Sequence, residues 1–142
     1  MTYYLLIHYC LKYGLNDVYI GIFNSIELVE NAKKIYIEYI KKNSPHMYQN
    51  VEVDVELCSG ETVAQICDLN HVFNPEKIYI LFKTSRHILT GRCLAIRPIL
   101  LTNSFDKITS HRKNKSRLSD NRRYIELVVN NIHYDNNMRN RF

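Results

Sequence analysis

The sequence predicts an α+β protein: one mostly antiparallel sheet with the order β-β-α-β-β, one long amphipathic helix across one face, and an extended basic C-terminal region. Three observations predict it. Two apolar, β-forming runs, Tyr3–Leu11 and Val18–Phe23, are joined by a turn. A helix start and an amphipathic pattern follow directly, up to Asn43. Strand-like runs then recur without a second clear helix, unlike the alternating strands and helices of nucleotide-binding folds.

The first two strands form a hairpin that is rich in tyrosine. Its turn is Tyr13–Asp17, and Gly21 inside the second strand predicts a bulge or a close approach of another backbone segment. Both faces of the hairpin are apolar or aromatic, whereas the single helix covers only one of them. The C-terminal strands or a partner must therefore cover the other face.

The helix is predicted from its start signal and its periodicity. Asn24 is the expected N-cap, and Glu27, three residues later, completes a capping box. Pro45 restricts the residue before it, so the helix should end near Asn43. Apolar residues at steps of three and four define one face. They are Leu28, Val29, Ala32, Ile35, Tyr36, Tyr39 and Ile40.

Four further segments complete the predicted body. Val51–Leu57 alternates between apolar and acidic residues, which is typical of a half-buried strand with a solvated face. Glu61–Leu69 fits a short helix or an irregular loop, and the pattern does not decide between them. Lys77–Lys83 is predicted as a buried strand. Cys93–Thr102 is apolar, but Pro98 confines it to an edge strand or an extended arm.

We divide the chain into an α+β body, residues 1–102, and a C-terminal region, residues 103–142. Asn103–Arg123 is strongly polar and is predicted as an exposed loop. Tyr124–Ile132 recovers β character, and this late strand must pair back on the body or on another molecule. The last ten residues are predicted to be a free tail.

The positive charge of the chain is concentrated at its C-terminal end. Residues 1–106 hold 10 Lys+Arg and 11 Asp+Glu, a net charge of −1, whereas residues 107–142 hold 9 and 3, a net charge of +6. Such asymmetry predicts contact with an anionic partner. The expected contact residues are Arg112, Lys113, Lys115, Arg117, Arg122 and Arg123.

Three interpretations of this basic cluster stay open: a solvated loop, non-specific nucleic-acid contact, and an arm that docks on an acidic protein surface. Phosphate contacts need only the cations. Base recognition needs aromatic rings among them, and only Tyr124 is adjacent. The sequence therefore favours non-specific over sequence-specific nucleic-acid binding.

Motifs for catalysis are absent from the sequence. It has four glycines and no GxxxxGK[ST], GxGxxG, GxSxG or HExxH, so we expect no enzyme and no cofactor. Ser/His or Cys/His catalysis stays open, because such groups meet in space. Cys58, Cys67 and His71 could supply three zinc ligands, but their spacing matches no standard pattern, and buried reduced thiols are the expected state. Since no run of about 18 apolar residues occurs, we expect no membrane partner.

Residues 3–33 carry a short motif at the strand-to-helix junction. Gly21, Phe23 and Ser25 form G-x-F-x-S, and Glu27 and Ala32 follow. This pattern resembles small uncharacterised ββα-containing domains. The resemblance implies a fold and carries no catalytic residues. The Asn/Ile/Lys/Tyr-rich composition is also similar in style to proteins of large DNA viruses of eukaryotes, many of which are virion components.

These observations together predict a non-enzymatic structural or interaction protein. We expect a minor capsid-associated component that docks to neighbouring chains of an assembly through the region from Cys93 onward, in a virion or the host cytoplasm, and that is not secreted. The alternative is a non-specific nucleic-acid-binding protein that uses the basic cluster at residues 111–123.

Overall fold

A computed structural model describes residues 2–9, 17–44, 51–58, 60–69, 75–113 and 120–138 of the 142-residue chain. These residues form two β-sheets and four helices, so the predicted α+β class is confirmed. In chain order the elements are β1 (Tyr4–His8), β2 (Val18–Phe23), α1 (Ile26–Asn43), α2 (Val51–Asp54), β3 (Val55–Leu57), α3 (Gly60–Ile66), β4 (Cys67–Asp68), β5 (Lys77–Arg86), β6 (Cys93–Thr102), α4 (Phe105–Lys113) and β7 (Asp120–Val128).

The strands divide into two sheets where the sequence predicted one. The first has three antiparallel strands in the order β2-β1-β3. The second has the order β4-β6-β5-β7, in which β4 runs parallel to β6 and the other pairs are antiparallel. Both sheets contribute to one core cluster, which includes Leu5 and Ile7 of β1 and Ile78, Ile80 and Phe82 of β5. The C-terminal strands therefore cover the face of the first hairpin that α1 leaves open.

Helix α1 lies on the other face of the first sheet and buries a narrow stripe. The buried side chains are Val29, Ala32, Tyr36 and Ile40, which pack with Leu6, Val18, Ile20 and Phe23. The predicted apolar face was wider than this stripe. Leu28, Ile35 and Tyr39 are 43 %, 42 % and 40 % exposed.

The N-cap of α1 is Ser25, so the prediction of Asn24 is wrong by one residue. The Ser25 hydroxyl accepts a hydrogen bond from the backbone N–H of Leu28 at 3.1 Å. Asn24 is used differently, because its backbone N–H donates to the side-chain oxygen of Asn130 at 3.0 Å. With the cap at Ser25, Glu27 no longer stands three residues after it, and the capping box is lost.

Gly21 meets both sequence-based expectations. The register between β1 and β2 shifts beside it, between Leu6 and Ile7, which marks a bulge. A Cβ atom added at Gly21 would lie 2.5 Å from the carbonyl oxygen of Asn131. The bare α-carbon is therefore what admits the C-terminal segment beside β2.

The C-terminal segment, residues 130–138, closes the edge of β2, so the prediction of a free tail is wrong for residues 133–138. The backbone N–H of His133 donates to the carbonyl of Ile20 at 2.7 Å. Met138 is fully buried and joins the core between the sheets. An edge strand presents unpaired backbone groups, and this segment satisfies part of them. Residues 139–142 lie outside the described residues.

The middle of the chain differs from its predicted pattern. Val51–Leu57 was predicted as one strand, but it forms a helical turn, α2, and then the three-residue strand β3. Val51 and Val55 are both buried four positions apart, a spacing that helical geometry produces as readily as strand alternation does. The alternative left open at Glu61–Leu69 resolves as the short helix α3 followed by β4.

The predicted loop Asn103–Arg123 is wrong at both ends, because α4 and the first residues of β7 occupy it. Residues 114–119 lie outside the described residues. The late strand pairs antiparallel with β5 from Lys77 to Ser85, so it pairs back on the body. β6 pairs with β5 on one side and only the two residues of β4 on the other, and Pro98 lies beside a register shift.

Candidate functional site

The outer face of the second sheet carries α4. On β5, Ile78, Ile80 and Phe82 belong to the core between the sheets. The alternate residues Tyr79 and Leu81 therefore point to the opposite face. Helix α4 contacts β5, β6 and β7 and buries a single side chain, Ile108. It covers this face only in part.

Ser104 starts α4 and fixes its position after β6. The backbone N–H of Lys107 donates to the Ser104 hydroxyl at 3.4 Å, and the N–H of Ile108 donates to the Ser104 carbonyl at 3.3 Å. The backbone N–H of Ser104 itself donates to the hydroxyl of Thr102 at 3.1 Å. The short turn after β6 thus returns the chain directly over the outer face.

Three aromatic rings meet beneath and beside α4, and we call them the ring cluster. Tyr79 of β5 lies 5.5 Å from Phe105 of α4 and 6.0 Å from Tyr124 of β7, and the last two rings are 5.4 Å apart, measured between centroids. The two pairs that include Tyr124 are edge-to-face, with interplanar angles of 72° and 75°, and the Tyr79–Phe105 pair is tilted at 59°. Phe105 is 45 % exposed, so the cluster opens to solvent.

Three cations lie in one register row across neighbouring strands, and we call them the cationic row. Lys83 of β5 is opposite Arg97 of β6 and opposite Arg122 of β7. Because Tyr79, Leu81 and Lys83 alternate along β5, the row shares the outer face with the ring cluster. Strands lie about 4.8 Å apart, so the row spans about 10 Å between its outer Cα atoms. Like charges directly opposite one another destabilise a sheet.

Two arginines connect the C-terminal turn of α4 to β7. Arg122 donates from Nη1 to the carbonyl of His111 at 2.9 Å, and Arg112 donates from Nε to the carbonyl of Arg122 at 3.3 Å. A cation at these last carbonyls also complements the helix dipole. The Arg112 guanidinium lies 5.6 Å from the centroid of the Tyr124 ring, in a cation–π position. Arg112 therefore contacts both Arg122 of the cationic row and Tyr124 of the ring cluster.

A cavity of about 540 Å³ lies along α4, on the side of β4 and β6. It is lined by Asp68, Leu100, Asp106, Lys107, Ser110 and His111. The Asp68 carboxylate forms an ion pair with Lys107 and accepts a hydrogen bond from the Thr102 hydroxyl at 3.4 Å. The bond from Lys107 is the main cause that holds the pKa of Asp68 below its usual value. Lys107 is therefore already paired with an acid.

The predicted anion-binding residues divide into three groups. Arg112 and Arg122 lie together at the junction of α4 and β7. Lys113 and Arg123 are exposed and follow them in the sequence. Arg123 lies on the opposite face of β7 from Arg122. Lys115 and Arg117 lie outside the described residues.

Sequence reasoning missed four members of the site: Tyr79, Lys83, Arg97 and Phe105. They come from β5, β6 and α4, and only the antiparallel register brings them to Arg122 and Tyr124. Alternation along β5 was the available signal for Tyr79 and Lys83. No signal in the sequence indicated which residues of β6 and β7 would lie opposite them.

The cysteine and histidine candidates do not converge on a metal site where they are described. Cys58 and Cys67 are half-buried, and burial raises the pKa of the Cys67 thiol. His71 lies outside the described residues. Within the described part of the chain, no group of three or more His, Cys, Asp or Glu residues is placed to hold a metal ion.

No protein-family model, curated protein or solved structure matches this chain. The resemblance of residues 3–33 to ββα-containing domains and the viral style of the composition stay predictions.

Proposed function

We propose that this protein binds single-stranded nucleic acid, without sequence specificity, across the cationic row and the ring cluster. The observation that carries the proposal is the shared face: three cations in register lie next to three partly open aromatic rings. Single-strand binding surfaces combine a basic track for the backbone with rings on which bases stack.

The two parts of the face have complementary tasks. Lys83 and Arg97, with Lys113 at the end of α4, neutralise phosphates. Phe105 offers an exposed ring at which an unpaired base can stack. Tyr124 and Arg122 are two residues apart on β7 and share its outer face, so their Cα atoms lie about 7 Å apart along the strand. A face with both features fits a strand with free bases better than a duplex, whose bases are stacked on one another.

Docking within a larger assembly, the other function expected from the sequence, stays a prediction. Its motive was a late strand beyond a polar loop, which had to pair either on the body or on another molecule; β7 pairs with β5 along its whole length. An assembly would have to use a surface other than the edge of β7 that faces β5.

The test is fluorescence anisotropy with a labelled single-stranded oligonucleotide at several salt concentrations. The double variant Arg97→Gln/Lys113→Gln removes two phosphate contacts, so the slope of log K against log salt should fall by about 0.7 for each lost contact. Phe105→Leu keeps an apolar side chain but removes the ring. It should weaken binding by about fivefold or more, because each stacked base contributes about 1–3 kcal/mol.

The matched control is Lys34→Gln/Lys42→Gln, which removes the same charge from exposed positions of α1. We expect its slope and affinity to change little. If both double variants lower the slope equally, the protein attracts the strand only through its net charge, and the proposed face is wrong. If Phe105→Leu binds as tightly as the wild type, base stacking at the ring cluster is refuted.

A further inference from the structure

The hairpin tip between β5 and β6, residues His87–Arg92, displays two aliphatic side chains to solvent. Ile88 is 87 % exposed and Leu89 is 89 % exposed, far above the other large apolar residues of the described chain. Neither belongs to a core cluster. Folding alone therefore does not explain an Ile-Leu pair at this position.

The tip is a closed, hydrogen-bonded turn. The backbone N–H of His87 donates to the carbonyl of Arg92, and that of Gly91 donates to the carbonyl of His87, both at 2.8 Å. Gly91 has φ of +68°, a conformation that other residues adopt rarely. Arg86 donates from Nη1 to the Gly91 carbonyl at 3.1 Å. Because these backbone groups are already paired, the tip can enter an apolar medium at reduced cost.

The hairpin that carries the tip contains cations and no acid, whereas the neighbouring strand β7 begins with Asp120 opposite Ser85. From Lys77 to Thr102 the sequence contains no Asp or Glu. Arg86 and Arg92 flank the turn, and Lys83 and Arg97 follow on the strands behind it. Two exposed aliphatic side chains flanked by arginines are complementary to a surface with anionic groups outside and an apolar layer beneath them.

We propose that this tip inserts into the surface of an anionic lipid bilayer. Ile88 and Leu89 enter the acyl boundary, while Arg86 and Arg92 lie at the headgroups. Aliphatic side chains partition favourably into hydrocarbon. Protein interfaces instead rely on Trp, Tyr and Arg, and leucine is under-represented among their main contact residues. The residue types thus favour lipid over a protein groove.

Insertion of a hairpin tip differs from the membrane binding considered in the sequence analysis, where we expected no membrane partner. That expectation concerned spanning segments, and no helix among the described residues is long and apolar enough to cross a bilayer. Insertion of a tip needs only a few apolar side chains and nearby cations.

The first experiment is co-sedimentation of the full chain with phosphatidylcholine vesicles, with and without one third phosphatidylserine. The wild type should sediment with the anionic vesicles and much less with the neutral ones. Ile88→Ser/Leu89→Ser should bind at least about tenfold more weakly, since it removes both inserted side chains. Arg92→Gln should bind about fivefold more weakly. Leu28→Ser/Ile35→Ser, which changes two exposed aliphatic residues on α1, should bind like the wild type.

The second experiment uses the absence of tryptophan from the chain. Leu89→Trp places a single fluorophore at the tip, and its emission should shift to the blue when anionic vesicles are added. Leu28→Trp on α1 is the control and should not shift.

Several outcomes would overturn the proposal. They are equal binding to neutral and anionic vesicles, no shift for Leu89→Trp, and equal losses in the tip and α1 variants. Sedimentation without vesicles that disappears in Ile88→Ser/Leu89→Ser would show that the tip binds a second copy of the chain instead. Phe105→Leu should leave vesicle binding unchanged, which separates this proposal from nucleic-acid binding.

Discussion

Helices α1 and α4 cover the outer faces of the two sheets to very different extents. Helix α1 buries four side chains against the first sheet and closes that face around a His8–Tyr36 contact, in which the two side chains hydrogen-bond at 3.0 Å. Helix α4 buries only Ile108, and Phe105 and Arg97 on the same face remain exposed. The first layer therefore contributes mainly to stability, whereas the second is the face on which the proposed binding site lies. Substitutions should separate the two layers by their effect on folding.

The largest effect is expected in the α1 layer, at Tyr36. Tyr36→Ala removes a fully buried ring and leaves Nδ1 of His8 without its hydrogen bond, so the free energy of unfolding should fall by about 3–5 kcal/mol. Tyr39→Ala is the matched control on the same helix. It loses only the contact of a half-exposed ring with Tyr134, whose ring centroid lies 4.3 Å away, and should lower the free energy of unfolding by about 1 kcal/mol.

Urea unfolding followed by circular dichroism measures both variants. If Tyr36→Ala and Tyr39→Ala lower the free energy of unfolding by similar amounts, the buried stripe of α1 does not contribute more to stability than its exposed side. A change in the urea m-value would instead indicate a change in the surface exposed on unfolding.

The next effect tests whether the C-terminal segment belongs to the core. Met138→Ala should lower the free energy of unfolding by about 2–5 kcal/mol, because Met138 is fully buried between the sheets. Asn131→Ala, at an exposed position of the same segment, should cost far less. If Met138→Ala unfolds at the same urea concentration as the wild type, the segment is a loose tail, as the sequence predicted.

The sequence could predict the fold class because long apolar runs identify strands on their own. Lys77–Lys83 and Cys93–Thr102 both proved to be strands of the second sheet. Helix α4 was missed because a helix that buries only Ile108 has no apolar periodicity to detect. The tail was missed for a related reason: its binding to β2 is mostly through backbone groups, which leave no sequence pattern.

The candidate site was harder to predict than the fold. The cationic row joins Lys83, Arg97 and Arg122 through strand register alone. The register shift between Leu81 and Phe82 moves the pairing by one residue before it reaches Arg97. Without that shift, alternation would place a different residue of β6 opposite Lys83. Charge asymmetry pointed to the region that contains Arg122, but it gave no sign of Lys83 and Arg97, which lie on β5 and β6.

The smallest effect is expected at the ion pair that holds α4 to β4. Lys107→Ala removes the partner of Asp68, but both side chains are partly exposed, so the cost at neutral pH should be about 1 kcal/mol or less. The pKa of Asp68 is lowered in the folded protein, so the pair stabilises the fold above the unfolded-state pKa of about 4 and loses that contribution as pH falls through the folded value. The difference between Lys107→Ala and the wild type should therefore shrink as the pH falls below about 4. Urea unfolding at pH 7 and near pH 3 measures it, and a cost well above that of a surface pair would mean that α4 is held as firmly as α1.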